Sequence, residues 1–220
     1  MRNYLFLLAG SALFCSSYAS ADVSVTATVV SDYVFRGVSQ TDSGPAAQLS
    51  LDYESDKGFY AGIWGSNVDF NDDANAEIDY IVGFSQALDD QFAYDISLTY
   101  YTYTGYSGDD EADYGEVIVN GYVHNFTVTF AYTHDYVQSG DLAQYIGLSY
   151  DYALPRDYNL ALQAGYSFGD AFDDNEYVDY SATLTKALFG IDVSAALFNT
   201  NIDDDDTADF RFVIGASYSF

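Results

Sequence analysis

The segment Ala208-Asp-Phe-Arg-Phe-Val-Ile-Gly-Ala-Ser-Tyr-Ser-Phe220 alternates between two kinds of side chain. Every second position from Phe210 to Phe220 is aromatic or apolar, and the positions between them are mostly small, polar or charged. A period of two places the two sets on opposite faces of a β-strand. A strand of this kind that ends on an aromatic residue is typical of an outer-membrane β-barrel, although a half-buried strand in a soluble β-protein shows the same alternation.

Eleven further segments repeat this alternation, so the sequence predicts an all-β fold, a closed antiparallel transmembrane β-barrel of twelve strands. In residues 158–168, for example, Tyr, Leu, Ala and Phe alternate with Asn, Ala, Gln, Gly and Ser. Aromatic residues gather near the segment ends, where Tyr and Trp favour the membrane interfaces. The predicted strands span 23–35, 45–54, 58–69, 76–87, 92–103, 114–124, 126–137, 142–153, 157–168, 176–187, 190–199 and 208–220.

The predicted connections also alternate, between short turns and longer acidic loops. Bacterial barrels have short periplasmic turns and longer extracellular loops. An even number of strands would therefore place both termini on the periplasmic side. The short connections are 54–58, 89–91, 124–125, 154–157 and 187–190, and the long ones are 36–44, 70–75, 104–113, 138–141, 169–175 and 200–207.

Residues 1–21 have the composition of a cleaved signal peptide, which leaves residues 22–220 as a single barrel domain. A basic start at Arg2, an apolar core and the small residues Ala19-Ser-Ala21 form this pattern. Cys15, the one cysteine, would be removed with the leader. We therefore expect the protein in the outer membrane of a Gram-negative bacterium.

The formal net charge of −28 argues against nucleic acid as a partner, because phosphates bind basic surfaces. The expected partners are outer-membrane lipid and lipopolysaccharide, small solutes, and the barrel-assembly machinery, which would recognise the C-terminal strand ending in Phe220. The sequence contains no phosphate loop or dinucleotide motif, and no cofactor is expected.

Alternation places acidic side chains on the inner face of the predicted barrel. An acid-lined passage favours cations, so the leading prediction is a porin-like channel for passive diffusion of small cationic or neutral solutes. In-folded loops could equally close the lumen, which leaves a structural or adhesion barrel that acts through acidic extracellular loops. The predicted pore-lining residues are Asp52, Glu77, Asp79, Asp95, Glu116, Asp151, Asp179, Asp192 and Arg211.

Carboxylate clusters in the predicted loops could suit Ca²⁺ or Mg²⁺. None has the spacing of an EF-hand, so we interpret them as solvated loop tips and predict no metal site. The clusters are Asp72-Asp73, Asp109-Asp110-Glu111, Asp173-Asp174 and Asp203-Asp-Asp-Asp206.

A membrane-embedded hydrolase is the enzymatic alternative. The two histidines, His124 and His134, lie at a predicted turn and near a predicted strand end. Neither lies in a recognisable Ser/His/Asp spacing or nucleophile elbow, so no catalytic residue and no enzyme is predicted.

Two segments are more specific than the alternation. Ser31-Asp-Tyr-Val-Phe-Arg-Gly-Val-Ser-Gln-Thr41 follows the first strand, and Gly58-Phe-Tyr-Ala-Gly-Ile-Trp-Gly-Ser-Asn-Val-Asp-Phe70 covers most of the third. With them, the chain resembles the TorF-type porin family of exported proteobacterial barrels. The resemblance implies an outer-membrane barrel with a pore and brings no catalytic residues. Arg36, which has Asp32 and Asp42 nearby in sequence, is predicted to anchor the first loop against the lumen, unless it is a surface arginine.

Overall fold

The computed structural model describes residues 22–106, 112–172 and 175–220. The predicted signal peptide, residues 1–21, lies outside the described residues. So do two of the predicted acidic clusters, Asp109-Asp110-Glu111 and Asp173-Asp174.

Twelve strands form one closed antiparallel barrel, which confirms the predicted fold. Two further short strands, β2 and β3, pair only with each other. The strands are β1 (Asp22–Val30), β2 (Val34–Phe35), β3 (Val38–Ser39), β4 (Ala46–Glu54), β5 (Phe59–Asn67), β6 (Ala76–Ala87), β7 (Phe92–Thr104), β8 (Tyr114–Val123), β9 (Phe126–Thr133), β10 (Ala143–Leu154), β11 (Tyr158–Phe168), β12 (Tyr177–Leu188), β13 (Ile191–Thr200) and β14 (Arg211–Ser219).

The first and last wall strands close the sheet. β1 pairs with β4 on one side and with β14 on the other. The closure continues past β14, where Val25 and Phe220 exchange two backbone hydrogen bonds of 3.0 Å each. In lipid an unpaired backbone group costs several kcal/mol, so this seam leaves no open edge.

The two faces of the wall differ sharply, as β7 illustrates. Ile96 and Leu98 are exposed, whereas Asp95, Ser97 and Thr99, which alternate with them, are buried. The same alternation holds in β14, where Phe212 and Ile214 are exposed and Arg211 is buried. The apolar rows therefore form the outside of the barrel, and the polar rows face the lumen.

Lysine in place of Leu98 should destabilise the barrel. Leu98 lies on the exposed apolar face near the middle of β7, where a charge in lipid costs about 2–4 kcal/mol. Urea unfolding from lipid vesicles should show this loss. Phe92→Lys, on the same face at the end of β7, is the matched control and should cost about 0–1 kcal/mol. Equal losses in the two variants would contradict a membrane-spanning β7.

Short turns and long loops alternate as predicted. The short connections leave the barrel at one end, here called the short-turn end, and the longer ones leave it at the opposite, long-loop end. Two 3-10 helices, Tyr136–Gln138 and Asp170–Phe172, lie in long connections. Within the described ranges, no helix is both long and apolar enough to cross a membrane.

The prediction of one strand over residues 23–35 is wrong. β1 ends at Val30, and residues 31–45, here called the first loop, leave the wall. Its short β2–β3 hairpin pairs within itself, and its side chains bind residues on distant strands. The predicted strands 126–137 and 208–220 are also shorter in the structure, because β9 ends at Thr133 and β14 begins at Arg211.

Candidate functional site

The first loop crosses the barrel lumen, and successive side chains contact successive wall strands. The ring of Tyr33 packs edge-on against Trp64 of β5, with centroids 5.3 Å apart. Phe35 packs against Tyr101 of β7 at 6.2 Å. Arg36 then reaches β8 and β10. The loop therefore spans from the strands beside its own origin to the far side of the wall.

Arg36 is held by one carboxylate and two aromatic rings. Its guanidinium donates to Glu116 Oε2 at 2.8 Å, and its carbon lies 4.4 Å from the Tyr145 ring centre and 4.7 Å from that of Phe35. Side-chain exposure is 10% for Arg36 and 0% for Glu116. Burial alone would lower the pKa of Arg36, but the Glu116 carboxylate raises it above its ordinary value. Arg36 therefore keeps its charge although the pair is shielded from water.

Arg36 and Gly37 form the tight turn of the β2–β3 hairpin. Their φ angles are 47° and 84°. Positive φ at both central residues is the pattern of a type I′ turn, which favours Asn or Gly and disfavours arginine. At Gly37 a Cβ would lie 2.5 Å from Thr200 Cγ2 and 2.9 Å from Asp179 Cβ. The turn therefore fits closely against β12 and β13, with no room for a side chain at its second position.

Asp32 joins the start of the first loop to the last strand. Its Oδ2 accepts a 2.6 Å hydrogen bond from Arg211 Nη1. Its Oδ1 accepts from Ser39 Oγ at 2.6 Å and from Thr41 Oγ1 at 3.1 Å. Asp32 was expected to be available to Arg36, but the structure pairs it with Arg211. Arg36 instead bridges to a strand 80 residues further along the chain.

Neighbouring connections at the long-loop end also bind the first loop. Ser39 N donates to Thr207 O at 2.8 Å, and Asp69 N donates to Gln40 O at 2.9 Å. The Arg211 guanidinium also donates to the Asp206, Thr207 and Asp209 carbonyl oxygens. Residues 31–41, which carry the sequence motif, therefore form a loop that is fixed inside the barrel.

All nine predicted pore-lining residues lie on the face opposite the exposed apolar rows. They fall into two levels. Glu77, Asp79, Glu116, Asp179 and Arg211 are buried near the long-loop end, around the first loop, whereas Asp52, Asp95, Asp151 and Asp192 lie nearer the short-turn end. In this second group Asp95 and Asp151 are buried and the other two are half-buried.

Two of the acids nearer the short-turn end, Asp95 and Asp151, have neutral hydrogen-bond partners. Asp95 accepts from Tyr60 Oη at 2.7 Å and from Asn120 Nδ2 at 3.2 Å. Asp151 accepts from Asn159 Nδ2 at 3.0 Å. Of the described residues, only Arg36 and Arg211 form ion pairs with an acid, Glu116 and Asp32 respectively. Seven of the eight predicted acids therefore face the lumen without forming an ion pair to a described cation.

The other described cations lie away from the lumen. Lys57 and Arg156 are exposed in turns at the short-turn end. Lys186 lies on the outward face of β12, 4.3 Å above the Tyr158 ring.

Sequence reasoning missed the lumenal tyrosines and the Asp32–Arg211 ion pair. Tyrosine was interpreted mainly as a lipid-facing residue, but Tyr33, Tyr101, Tyr114, Tyr145 and Tyr177 are buried. Register alone would have identified Tyr101, since it is in phase with Asp95 along β7. No local signal links Asp32 to Arg211, which are 179 residues apart.

The histidines and loop carboxylates lie apart from this site. His124 is in the β8–β9 turn, and His134 is exposed beyond the end of β9. Asp72 accepts hydrogen bonds from Ala74 N and Tyr106 Oη, and Asp205 from Thr207, all within or between loops. In the part of the chain that is described, no group of three or more His, Cys, Asp and Glu side chains could hold a metal ion.

Known porins share this fold. The chain is similar to the KdgM porin (12% identity, TM-score 0.59) and to the KdgM porin in complex with disordered oligogalacturonate (11%, 0.61). It is also similar to the NanC porin (12%, 0.57). Each comparison covers 90% of this chain and 99% of the other. With its apolar exterior, this barrel is an outer-membrane protein of a Gram-negative bacterium.

Sequence comparison is less informative about activity. No curated protein matches the chain, and the TorF-type label is not confirmed by these matches. Residues 16–217 match the family described as a bacterial protein of unknown function (Gcw_chp), and the chain therefore belongs to that family.

Proposed function

We propose that this protein is a passive channel through which small cationic or neutral solutes cross the outer membrane. The single observation that carries the proposal is the row of lumenal acids without cationic partners. The porin fold favours a channel over an enzyme, and the TorF-type resemblance, which implies a pore, is part of the same proposal. No energy source and no cofactor is required for diffusion down a gradient.

The charge inside the barrel supports the solute class. The two lumenal cations, Arg36 and Arg211, are each neutralised by an acid. The remaining acids, including Asp95 and Asp151, keep the lumen electronegative, and a passage with this field attracts cations and repels anions. The first loop lies in this passage, tied to the wall by Arg36 and Asp32.

The same charge argues against anionic cargo. The KdgM porin is known in complex with oligogalacturonate, which carries a carboxylate on each sugar unit. A polyanion of this kind would be repelled by the acids of the present lumen. The two barrels therefore share an architecture, and we propose that they differ in the charge of the solute.

Neutralising lumenal acids should reduce cation selectivity. One charge at about 4 Å is worth about 1 kcal/mol to a passing ion in water, and the double variant removes two. Asp95→Asn/Asp151→Asn should therefore lower the K⁺ to Cl⁻ permeability ratio at least about fivefold. Reversal potentials in a KCl gradient across a planar bilayer measure this ratio. Glu116 is left intact because its loss would also free Arg36.

A matched control removes two acids outside the lumen. Asp56 and Asp90 are exposed at the short-turn end, and Asp56→Asn/Asp90→Asn should leave the ratio near that of the parent. Equal ratios in all three proteins would contradict an acid-lined passage.

A structural or adhesion barrel is the second candidate, and the fixed first loop favours it. Asp32 and Arg36 both tie this loop across the lumen. If folded protein inserted in the bilayer conducted no ions, this second function would replace the channel.

A further inference from the structure

We infer that the lumenal wall of β6–β8 contains a binding site for the guanidinium or ammonium group of an organic cation. The site consists of Glu77, Asp79, Thr99 and Glu116, here called the acid arc. This inference rests on the proposed channel function and narrows its solute class. The acid arc is distinct from Asp52, Asp95 and Asp151 nearer the short-turn end, which already have neutral hydrogen-bond partners.

Each member of the acid arc has a buried oxygen that lacks a hydrogen-bond donor in the described parts of the chain. These atoms are Glu77 Oε2, Asp79 Oδ1, Thr99 Oγ1 and Glu116 Oε1. The four residues are 3%, 2%, 2% and 1% exposed. Burying an acceptor without a donor is costly, and more so for a carboxylate. The arc therefore concentrates buried acceptors that lack a donor in one part of the lumenal wall.

The strand register brings these acceptors together. Glu77 and Asp79 are two residues apart on the lumenal face of β6. Thr99 of β7 pairs directly with Glu116 of β8, and Asp79 pairs with Tyr101, the next lumenal residue after Thr99. Directly opposed residues have Cβ atoms about 5 Å apart and diagonal ones about 7–8 Å apart. The free oxygens thus occupy one continuous patch across three strands.

The patch is suited to an organic cation. A group with several N–H donors can satisfy carboxylates and a hydroxyl together, and a guanidinium has five donors in one plane. The lumenal rings add to this preference. Tyr103 Oη donates to Glu77 Oε1 at 3.1 Å, and Phe35 packs edge-on against Tyr101 beside the arc. Aromatic faces attract organic cations.

The first loop contributes a further ring to the arc. Tyr33 is buried at the edge of the lumen. Burial first, and then the charges of Glu77 and Asp79, raise the pKa of Tyr33 well above its ordinary value. Tyr33 packs edge-on against Trp64, which pairs with Asp79 across β5 and β6, so its ring lies on the same side of the lumen as the acid arc.

The protein's own sequence supplies a guanidinium at one end of the arc. Arg36 donates to Glu116 Oε2, while its carbon lies over the Tyr145 ring. At the other end, no described cation pairs with Glu77 or Asp79. A solute with a guanidinium or ammonium group would find there the same chemistry that the wall already provides for Arg36.

Methylguanidinium and methylurea provide a matched pair of probes, because they have nearly the same shape and differ in charge. Isothermal titration calorimetry with the full barrel in detergent micelles, at constant ionic strength, should show binding of methylguanidinium chloride. Methylurea should bind at least about tenfold more weakly, since hydrogen bonds to charged groups are each worth about 1.5–3 kcal/mol. Equal binding of the two probes would overturn the site.

Substitutions in the acid arc test whether methylguanidinium binds there. Glu77→Gln/Asp79→Asn should weaken methylguanidinium binding at least about tenfold. If this double variant does not fold, the single variant Asp79→Asn takes its place in the same measurement. Asp56→Asn/Asp90→Asn, at the short-turn end, should bind like the parent. Retained affinity in the arc variants would refute the proposal. So would an equal loss in Asp52→Asn/Asp192→Asn, because diffuse lumenal charge would then explain binding.

The calorimetric test of the binding site and the bilayer test of the channel can give a negative result independently of each other. Calorimetry in micelles needs no open pore, so binding without any bilayer current would remove the channel and keep the site. A cation-selective current without methylguanidinium binding would keep the channel and remove the site.

Discussion

Alanine in place of Arg36 is expected to increase the single-channel conductance at least about twofold, because the substitution should release the first loop from the lumen. The β2–β3 hairpin of this loop has strand axes about 5 Å apart and occupies much of the interior of a twelve-strand barrel. Losing one member of a buried ion pair costs about 3–5 kcal/mol, because the other charge stays buried and unpaired. Here that charge is Glu116, and the first loop also loses its contact with the Tyr145 ring. Planar-bilayer recordings on the purified variant measure the change.

The same variant should become more cation-selective, because a positive charge leaves the lumen while all of its acids stay. Arg156→Ala is the matched control, since Arg156 is exposed in a turn at the short-turn end and its loss changes net charge equally. Its conductance should equal that of the parent. A folded Arg36→Ala barrel with parental conductance would show that the first loop stays in place without the Glu116 ion pair.

The double variant Arg36→Ala/Glu116→Gln separates two causes. If the single variant conducts more because the loop has left the lumen, the double variant should conduct as much. If the unpaired Glu116 carboxylate is itself the cause, neutralising it should reverse the gain. The distinction matters because Glu116 also belongs to the acid arc proposed above.

Strand periodicity is a local property, and it was sufficient to predict the barrel. Each wall strand has one face toward lipid and one toward the lumen, so a period of two separates Leu98 from Asp95 without any knowledge of the partners. The alternation of short and long connections was predictable for the same reason. The same alternation along each strand predicts the twelve wall strands and places all nine predicted residues on the lumenal face.

The first loop shows where local pattern stops being informative. Residues 31–35 continue the alternation of β1, so they were predicted to extend it. Their conformation depends instead on distant partners, since Asp32 binds Arg211 and Arg36 binds Glu116. Interactions separated by 80 and 179 residues leave no periodic signal. The Ser31–Thr41 motif was recognisable as unusual, but its position inside the barrel required the structure.

The lumenal tyrosines explain why an acid-lined interior can be partly dry. Tyr101 and Tyr114 stack at 4.7 Å between ring centres, and Tyr136 packs edge-on against Tyr114. Their hydroxyl and ring edges can contact acids, while their faces exclude water from the wall. This arrangement lets Glu116 remain buried beside Arg36, and it concentrates the free carboxylate oxygens of the acid arc under the first loop.

Asparagine in place of Asp32 should detach the start of the first loop. The substitution keeps the shape of the side chain but removes the charge that neutralises the buried Arg211 guanidinium, which costs about 3–5 kcal/mol. Hydrogen bonds from Ser39 and Thr41 to this carboxylate would weaken as well. Urea unfolding from lipid vesicles measures the loss in stability.

Trp64, the one tryptophan in the chain, reports whether the loop has moved. Its ring lies 5.3 Å from that of Tyr33, the residue that follows Asp32, so detachment should expose the indole to water and shift its emission to longer wavelength. Asp42→Asn is the matched control, because Asp42 is an exposed acid of the same loop. It should leave both stability and emission at parental values. If Asp32→Asn did the same, Arg211 would not hold the first loop in place, and Arg36 alone would have to fix it across the lumen.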